Sequence, residues 1–261
     1  AGRSEQRTVH TLRKSAAGTA RSPVAVGLQL LRAADARHRN CYLKADIRRH
    51  VMGRWMLDVI TKHDRSRSSI YLITTCPPRE HDAITAAFRN HADGFADISA
   101  LDDFSAAKSI AEADLDILVD LAGHTMAARP GIYAHRPARS IVTHLGYHGC
   151  LGLSAVDYKL TDQIADPDDA ADFQIERPLA LSTCLFPFAR VAPADADPEA
   201  PQANPDLEGK FVFAAFTNVL KLSPRCLAVW RRVLEALPEA VLLFSPLSPT
   251  QHAGILRVVQ G

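Results

Sequence analysis

The sequence predicts an open α/β layer architecture, with parallel strands covered by helices, and three observations carry that prediction. After Cys41, short apolar runs alternate with stretches whose apolar residues recur at helical spacing. Asp116–Leu121 (DILVDL) is an almost unbroken apolar run, as in strands buried on both faces of a parallel sheet. A length of 261 residues with 47% hydrophobic and 23% charged content supports a layered core and excludes a disordered or collagen-like chain.

The elements follow in order. Cys41–Ala45 opens the first strand. Val51, Met52, Trp55, Met56, Val59 and Ile60 fall at i, i+1, i+4, i+5, i+8 and i+9, the apolar stripe of a helix. Ser69–Thr74 (SIYLIT) is rich in β-formers and is stopped by Cys76-Pro77-Pro78. Helices are expected near Glu80–His91 and Ser105–Ala113, and further strands at Ser140–Leu145 and Val156–Leu160. Residues 191–209 hold four prolines and no apolar period, which reads as a linker or long surface loop. The α/β rhythm then restarts with Phe211–Phe216. A helix follows, with Ser223 as N-cap, Pro224 at its first position and an apolar face of Leu227, Trp230, Val233, Leu234 and Leu237. Val241–Phe244 is a second strand. The expected organisation is a poorly ordered leader or cut end over 1–40, a first α/β unit over 41–190, a linker over 191–209 and the start of a second unit over 210–261.

Composition narrows the function. A net charge of +1 gives no electrostatic footprint for a nucleic-acid partner. No uninterrupted apolar run reaches the roughly 18 residues of a membrane span. The 5 cysteines are an odd number without a C-x-x-C pair, which suggests reduced thiols in a cytoplasmic protein rather than a disulfide frame or zinc knuckle. The first 40 residues carry an excess of Lys and Arg over Glu5 and Asp35. They lack the long apolar stretch of a signal peptide.

Three places could carry chemistry. Asp46-Ile47-Arg48-Arg49-His50 lies between a strand and an amphipathic helix, where open α/β sheets bind ligands. His50 there is either an acid or base near neutral pH or a solvated residue at a helix start. Leu145-Gly146-Tyr147-His148-Gly149-Cys150-Leu151-Gly152 repeats glycine every third residue after a strand, which suits either a plain turn or a loop whose amides approach a ligand. Its spacing is not the dinucleotide fingerprint. The intervening glycines argue against a helical metal pair of His144 and His148. Thr217-Asn218-Val219-Leu220-Lys221 sits between a strand and a capped helix. Lys221 is either an exposed loop residue or a partner for a diphosphate beside oriented N–H donors.

Taken together, Asp116-Ile117-Leu118-Val119-Asp120-Leu121-x-Gly123-His124-Thr125, Arg136-Pro137-Ala138, Leu145-Gly146-Tyr147, Asp157-Tyr158 and Thr161-Asp162 resemble the catalytic region of O-linked N-acetylglucosamine transferases, especially the bacterial tetratricopeptide-containing members. Tyr42–His50 is similar to that family's first strand and histidine loop, and Phe216–Pro224 to its lysine segment. The resemblance implies two Rossmann-like halves in a GT-B arrangement, with the active site in the cleft between them. It implies an inverting glycosyltransferase that moves a sugar, most often GlcNAc from UDP-GlcNAc, to Ser or Thr hydroxyls of proteins without a metal or other cofactor. Under it, His50 is an active-site contact long proposed as base, and Lys221 meets the departing diphosphate. Leu145, Gly146, Tyr147 and Gly149 wall the donor sugar, and Asn218 joins the substrate-binding set.

Several positions depart from the family pattern. Cys41 stands where Gly is usual, Lys44 where Ser is usual, and Ile47 where Phe is usual. His148 replaces a Pro, which frees φ in a loop expected to be rigid, and Cys150 replaces Thr or Ser. With only the beginning of a second half in the sequence, the isolated chain is expected to be weakly active or inactive. The competing expectation is a degenerate transferase half that acts as a non-catalytic interaction module.

Overall fold

The computed structural model describes residues 37–187, 205–217 and 221–244. The chain divides into two compact units, Ala1–Arg190 and Val191–Gly261. The expected leader up to residue 36, most of the expected linker and Asn218 lie outside the described residues.

The first unit is built on a seven-stranded sheet. Its strands are β1 (His38–Lys44), β2 (Ser68–Thr74), β3 (Gly94–Asp97), β4 (Ile117–Asp120), β5 (Ser140–Thr143), β6 (Tyr158–Asp162) and β7 (Arg177–Leu181). Every neighbouring pair is parallel, in the order β3-β2-β1-β4-β5-β6-β7. The helices are α1 (Val51–Thr61), α2 (Ala83–His91), α3 (Asp103–Glu112) and the short α4 (Pro130–Ala134). Chain progression runs outward through β1, β2 and β3, then reverses to β4 on the other side of β1. Ligands of open α/β sheets bind at such a switch point, outside the carboxyl ends of the strands.

The central strands are sandwiched. Alternate residues of β1 and β2 enter opposite layers, as the two-residue period of a strand requires. Cys41, Leu43, Tyr71 and Ile73 pack with Ile110 and Tyr133, whereas Tyr42, Ile70 and Leu72 pack with Met52, Met56, Ile60 and Phe88. Each such buried side chain contributes about 1.5–3 kcal/mol relative to leaving it in water.

Several elements differ from expectation. β1 begins at His38, inside the segment expected to be leader, because His38 to Asn40 continue the ladder with Ser68 to Ile70. The helix expected over Glu80–His91 is divided into a 3₁₀ turn (Pro78–Glu80) and α2. Asp82 causes the break: its side chain accepts from Ile84 and Thr85 N–H while the Thr85 hydroxyl accepts from Asp82 N–H, a capping box. The strand expected at Val156–Leu160 is β6, two residues later, because the Val156 N–H closes a turn to Leu153 and Asp157 spends its carboxylate on Arg136 and the Ile141 N–H. β3, α4 and β7 were not expected; each has only 4 or 5 residues.

In the second unit, β8 (Val212–Ala215) and β9 (Val241–Phe244) pair in parallel around α5 (Pro224–Ala236). The Ser223 hydroxyl accepts from Cys226 N–H at 3.2 Å, and Pro224 occupies the first turn, as the sequence suggests. Among the described residues no helix is long and apolar enough to cross a membrane. None of the five cysteines is disulfide-bonded.

Candidate active site

Three loops meet at the switch point: those leaving β1, β4 and β5. β1 ends at Lys44, whose side chain is 4% exposed and whose ammonium lies 3.2 Å from Asp46 Oδ2. Asp46 also faces Arg48 at 3.8 Å and His50 Nδ1 at 3.8 Å. Arg48 reaches on to Glu80 at 2.9 Å. The loop is tied from behind, where the Arg49 N–H donates to Asp82 at 2.6 Å and the Thr85 hydroxyl donates to the Ile47 carbonyl at 2.7 Å.

His50 is the N-cap of α1. Its Nδ1 accepts from Met52 N–H at 3.2 Å. A backbone amide can only donate, so Nδ1 must be the unprotonated nitrogen and the neutral ring carries its proton on Nε2. The ring is half-exposed, and its Nε2–H is the donor that the cap leaves unused. Of the two alternatives left by the sequence, the structure shows the residue at a helix start: His50 caps α1, with its Nδ1 engaged by Met52 N–H.

β4 ends in Asp120, a fully buried carboxylate. It accepts four hydrogen bonds, from Ala122 N–H (2.9 Å), Gly123 N–H (2.9 Å), the Tyr133 hydroxyl (2.7 Å) and the Thr143 hydroxyl (3.0 Å). Burial, and then the charge of Asp120, push the Tyr133 phenol well above its usual range, so it stays a donor. The two amides shape the turn after β4, which carries Gly123 at φ +57°. A methyl on Gly123 would lie 2.1 Å from Tyr147 Cβ, so the turn and the β5 loop are pressed together. His124 packs edge-on against Tyr147 with centroids 5.3 Å apart, and its Nε2 lies 3.0 Å from the Leu151 carbonyl oxygen.

The β5 loop is the glycine-bearing stretch singled out by sequence. Leu145 is buried with φ +59°, a left-handed conformation costing a non-glycine residue about 1–2 kcal/mol. That turn delivers Gly146 onto the Leu121 carbonyl and within reach of the Lys44 ammonium. Tyr147 stays 39% exposed. His148, where rigidity from a proline was expected, packs edge-on against Phe186 at 5.2 Å, and Phe186 packs in turn on Trp55 of α1 at 5.7 Å. Contacts thus hold the loop where ring closure of a proline would have done so.

The structure accordingly gathers His50, Leu145, Gly146, Tyr147 and Gly149 around one end of the first sheet. Lys221 belongs to the second unit, exposed between β8 and the Ser223 cap of α5. The sequence reading did not single out Lys44, Asp120 or His124 as parts of this site. Asp120 and His124 lay within a quoted motif, and Lys44 stood out only as a departure. Among the described residues no three His, Cys, Asp or Glu side chains come together in a metal-binding group.

A parallel sheet with this reversal and these loops defines one half of a GT-B glycosyltransferase fold. The chain belongs to glycosyl transferase family 41, whose model matches residues 21–186. It is 33% identical over 207 residues to the SPINDLY protein of Arabidopsis thaliana, described as a probable UDP-N-acetylglucosamine–peptide N-acetylglucosaminyltransferase; the match covers 77% of this chain and 22% of that protein. The SEC protein of the same plant, similarly described, is 27% identical over 206 residues, covering 77% of this chain and 21% of that one. A solved structure of a mutant O-GlcNAc transferase from Thermobaculum terrenum superposes with a TM-score of 0.74 at 29% identity, covering 87% of this chain and 42% of that one. The chain therefore spans about a fifth of the length of these curated relatives.

Proposed function

We propose that this chain takes part in inverting transfer of GlcNAc from UDP-GlcNAc to Ser or Thr hydroxyls of proteins, without a metal ion. The observation that carries the reading is the β5 loop: a strained Leu145 and a Gly146 with no room for a side chain bring backbone against the ends of β1 and β4. Such a surface suits a sugar ring and its hydroxyls. In the transfer, the acceptor oxygen bonds to the anomeric carbon and gives up its proton, while the sugar–phosphate bond breaks and UDP leaves with the electron pair. Lys221 beside the N-terminus of α5 supplies positive charge for that departing diphosphate. His50 offers its Nε2–H to a substrate oxygen. A base role would first require its Nδ1 to release Met52 N–H and the ring to change tautomer.

The test is calorimetric binding of UDP-GlcNAc together with UDP release in the presence of a Ser/Thr peptide, with and without chelator. Lys221→Ala is expected to weaken UDP binding by about tenfold or more and to lower turnover by about a hundredfold, with chelator having no effect. Full affinity and turnover in the variant would remove Lys221 from the site. Failure of the unaltered protein to bind UDP-GlcNAc would favour the interaction-module alternative.

A further inference from the structure

We propose that the rim around His50 selects acceptor peptides with Asp or Glu close to the modified hydroxyl. The inference rests on the transferase reading above and adds to it the chemical class of the acceptor.

The loop after β1 and its neighbours hold five cationic side chains, Lys44, Arg48, Arg49, Arg54 and Arg79, against three carboxylates, Asp46, Glu80 and Asp82. All three carboxylates are engaged inside the protein. Asp46 faces Lys44 and Arg48. Glu80 is shared by Arg48 at 2.9 Å and Arg79 at 3.7 Å. Asp82 accepts from the N–H groups of Arg49, Ile84 and Thr85, which outweigh its partial burial and lower its pKa. The nearby Asp58 is taken by Lys62 at 2.7 Å.

Two guanidinium groups are left over. Arg49 and Arg54 are both exposed, and neither has a carboxylate partner among the described residues. Arg49 is next to His50 in sequence, and Arg54 follows one turn later on α1, where its N–H donates to the His50 carbonyl. The rest of the rim needs Lys44 and Arg48 to compensate Asp46, whereas no side chain among the described residues pairs with the Arg49 and Arg54 heads. A guanidinium fork matches a carboxylate with two parallel hydrogen bonds. Arg54 lies about 6 Å from His50 along the helix axis. That separation equals about two residues of an extended peptide, so the favoured acids lie about two residues from the acceptor hydroxyl.

Two fluorescein-labelled peptides provide the test, identical except that a central Ser is flanked by Asp/Glu in one and by Asn/Gln in the other. Each is titrated by anisotropy with the 261-residue protein and with its Arg49→Ser/Arg54→Ser variant, folding of both being checked by circular dichroism. The unaltered protein should bind the acidic peptide about fivefold more tightly at low ionic strength, a preference that shrinks with added salt. In the double variant the preference should fall to near unity. Equal binding of the two peptides, or a preference that survives the double substitution, overturns the proposal. So does a double variant that loses UDP-GlcNAc affinity while keeping the peptide preference, since the rim would then read the donor diphosphate. UDP-GlcNAc binding by the unaltered protein separates the two readings. Its failure counts against the transferase assignment, whereas the acidic-peptide claim stands or falls on the peptide pair alone.

Discussion

Gly146 meets Leu121 backbone to backbone: a methyl group on Gly146 would lie 1.8 Å from the Leu121 carbonyl oxygen. The contact seats the loop after β5 on the residue that follows β4. It also brings the same loop to the buried Lys44 ammonium, 3.2 Å from where that methyl would be. One position therefore joins the ends of three strands.

Gly146→Ala should consequently displace the loop rather than unfold the sheet. The clash is with backbone, which cannot rotate out of the way. The expected outcome is a melting temperature lowered by a few degrees and UDP-GlcNAc affinity reduced by about tenfold or more, since small misplacements in a binding loop are costly. Calorimetry on the variant checks this. Undiminished affinity would show that the loop does not contact the donor.

Asp120→Asn probes the buried carboxylate. The four donors converging on Asp120 need acceptors, and an amide NH₂ would point two of its own hydrogens at them. Stability should drop by about 3 kcal/mol, the scale of a buried charge network broken on one side. Urea unfolding measures it; a loss below about 1 kcal/mol would mean the network is not held as described.

His144 sets a pH dependence. Burial pushes its pKa down from 6.5 to about 4, with a backbone hydrogen bond at Leu185 working the other way. Its Nε2 is enclosed without a partner. The native state thus prefers the neutral ring, whereas the unfolded chain takes up a proton below about 6.5. Stability from this group is complete above pH 6.5, falls as the pH drops toward 4 and then levels, a total of roughly 3 kcal/mol. The carboxylates with lowered pKa, such as Asp162 and Asp82, lose their contribution only below the usual carboxylate range, outside this window. Unfolding free energies of the protein and of His144→Phe between pH 7 and pH 4 should diverge by that slope. Parallel curves would show that His144 titrates normally.

The elements that were legible in the sequence are those whose pattern is local. The stripe from Val51 to Ile60 is α1, SIYLIT is β2, and Ser223-Pro224 is the start of α5, because period and cap chemistry act over a few residues. β3 (GFAD) and β7 (RPLAL) were missed because neither holds a β-branched residue to mark a strand, and the five-residue α4 (PGIYA) is too short to show a helical period. They form because a neighbouring strand or helix is already in place, as when Tyr71 to Thr74 of β2 offer a ladder to Gly94 to Asp97.

By itself, the sequence determined an open parallel α/β chain and marked three loops, at His50, at Leu145–Gly149 and near Lys221, as candidates to carry chemistry. Alternation and glycine spacing are written into consecutive residues. Tertiary structure decided how the first two loops meet. It placed β1 between β2 and β4, so that His50 shares a sheet end with Gly146. It converged four donors on Asp120 from residues 122, 123, 133 and 143, and it made the histidine of the first loop a helix cap whose Nδ1 is taken by Met52 N–H. Strand order, buried charge pairing and tautomer depend on groups distant in sequence, and only folding brings those groups within hydrogen-bonding distance.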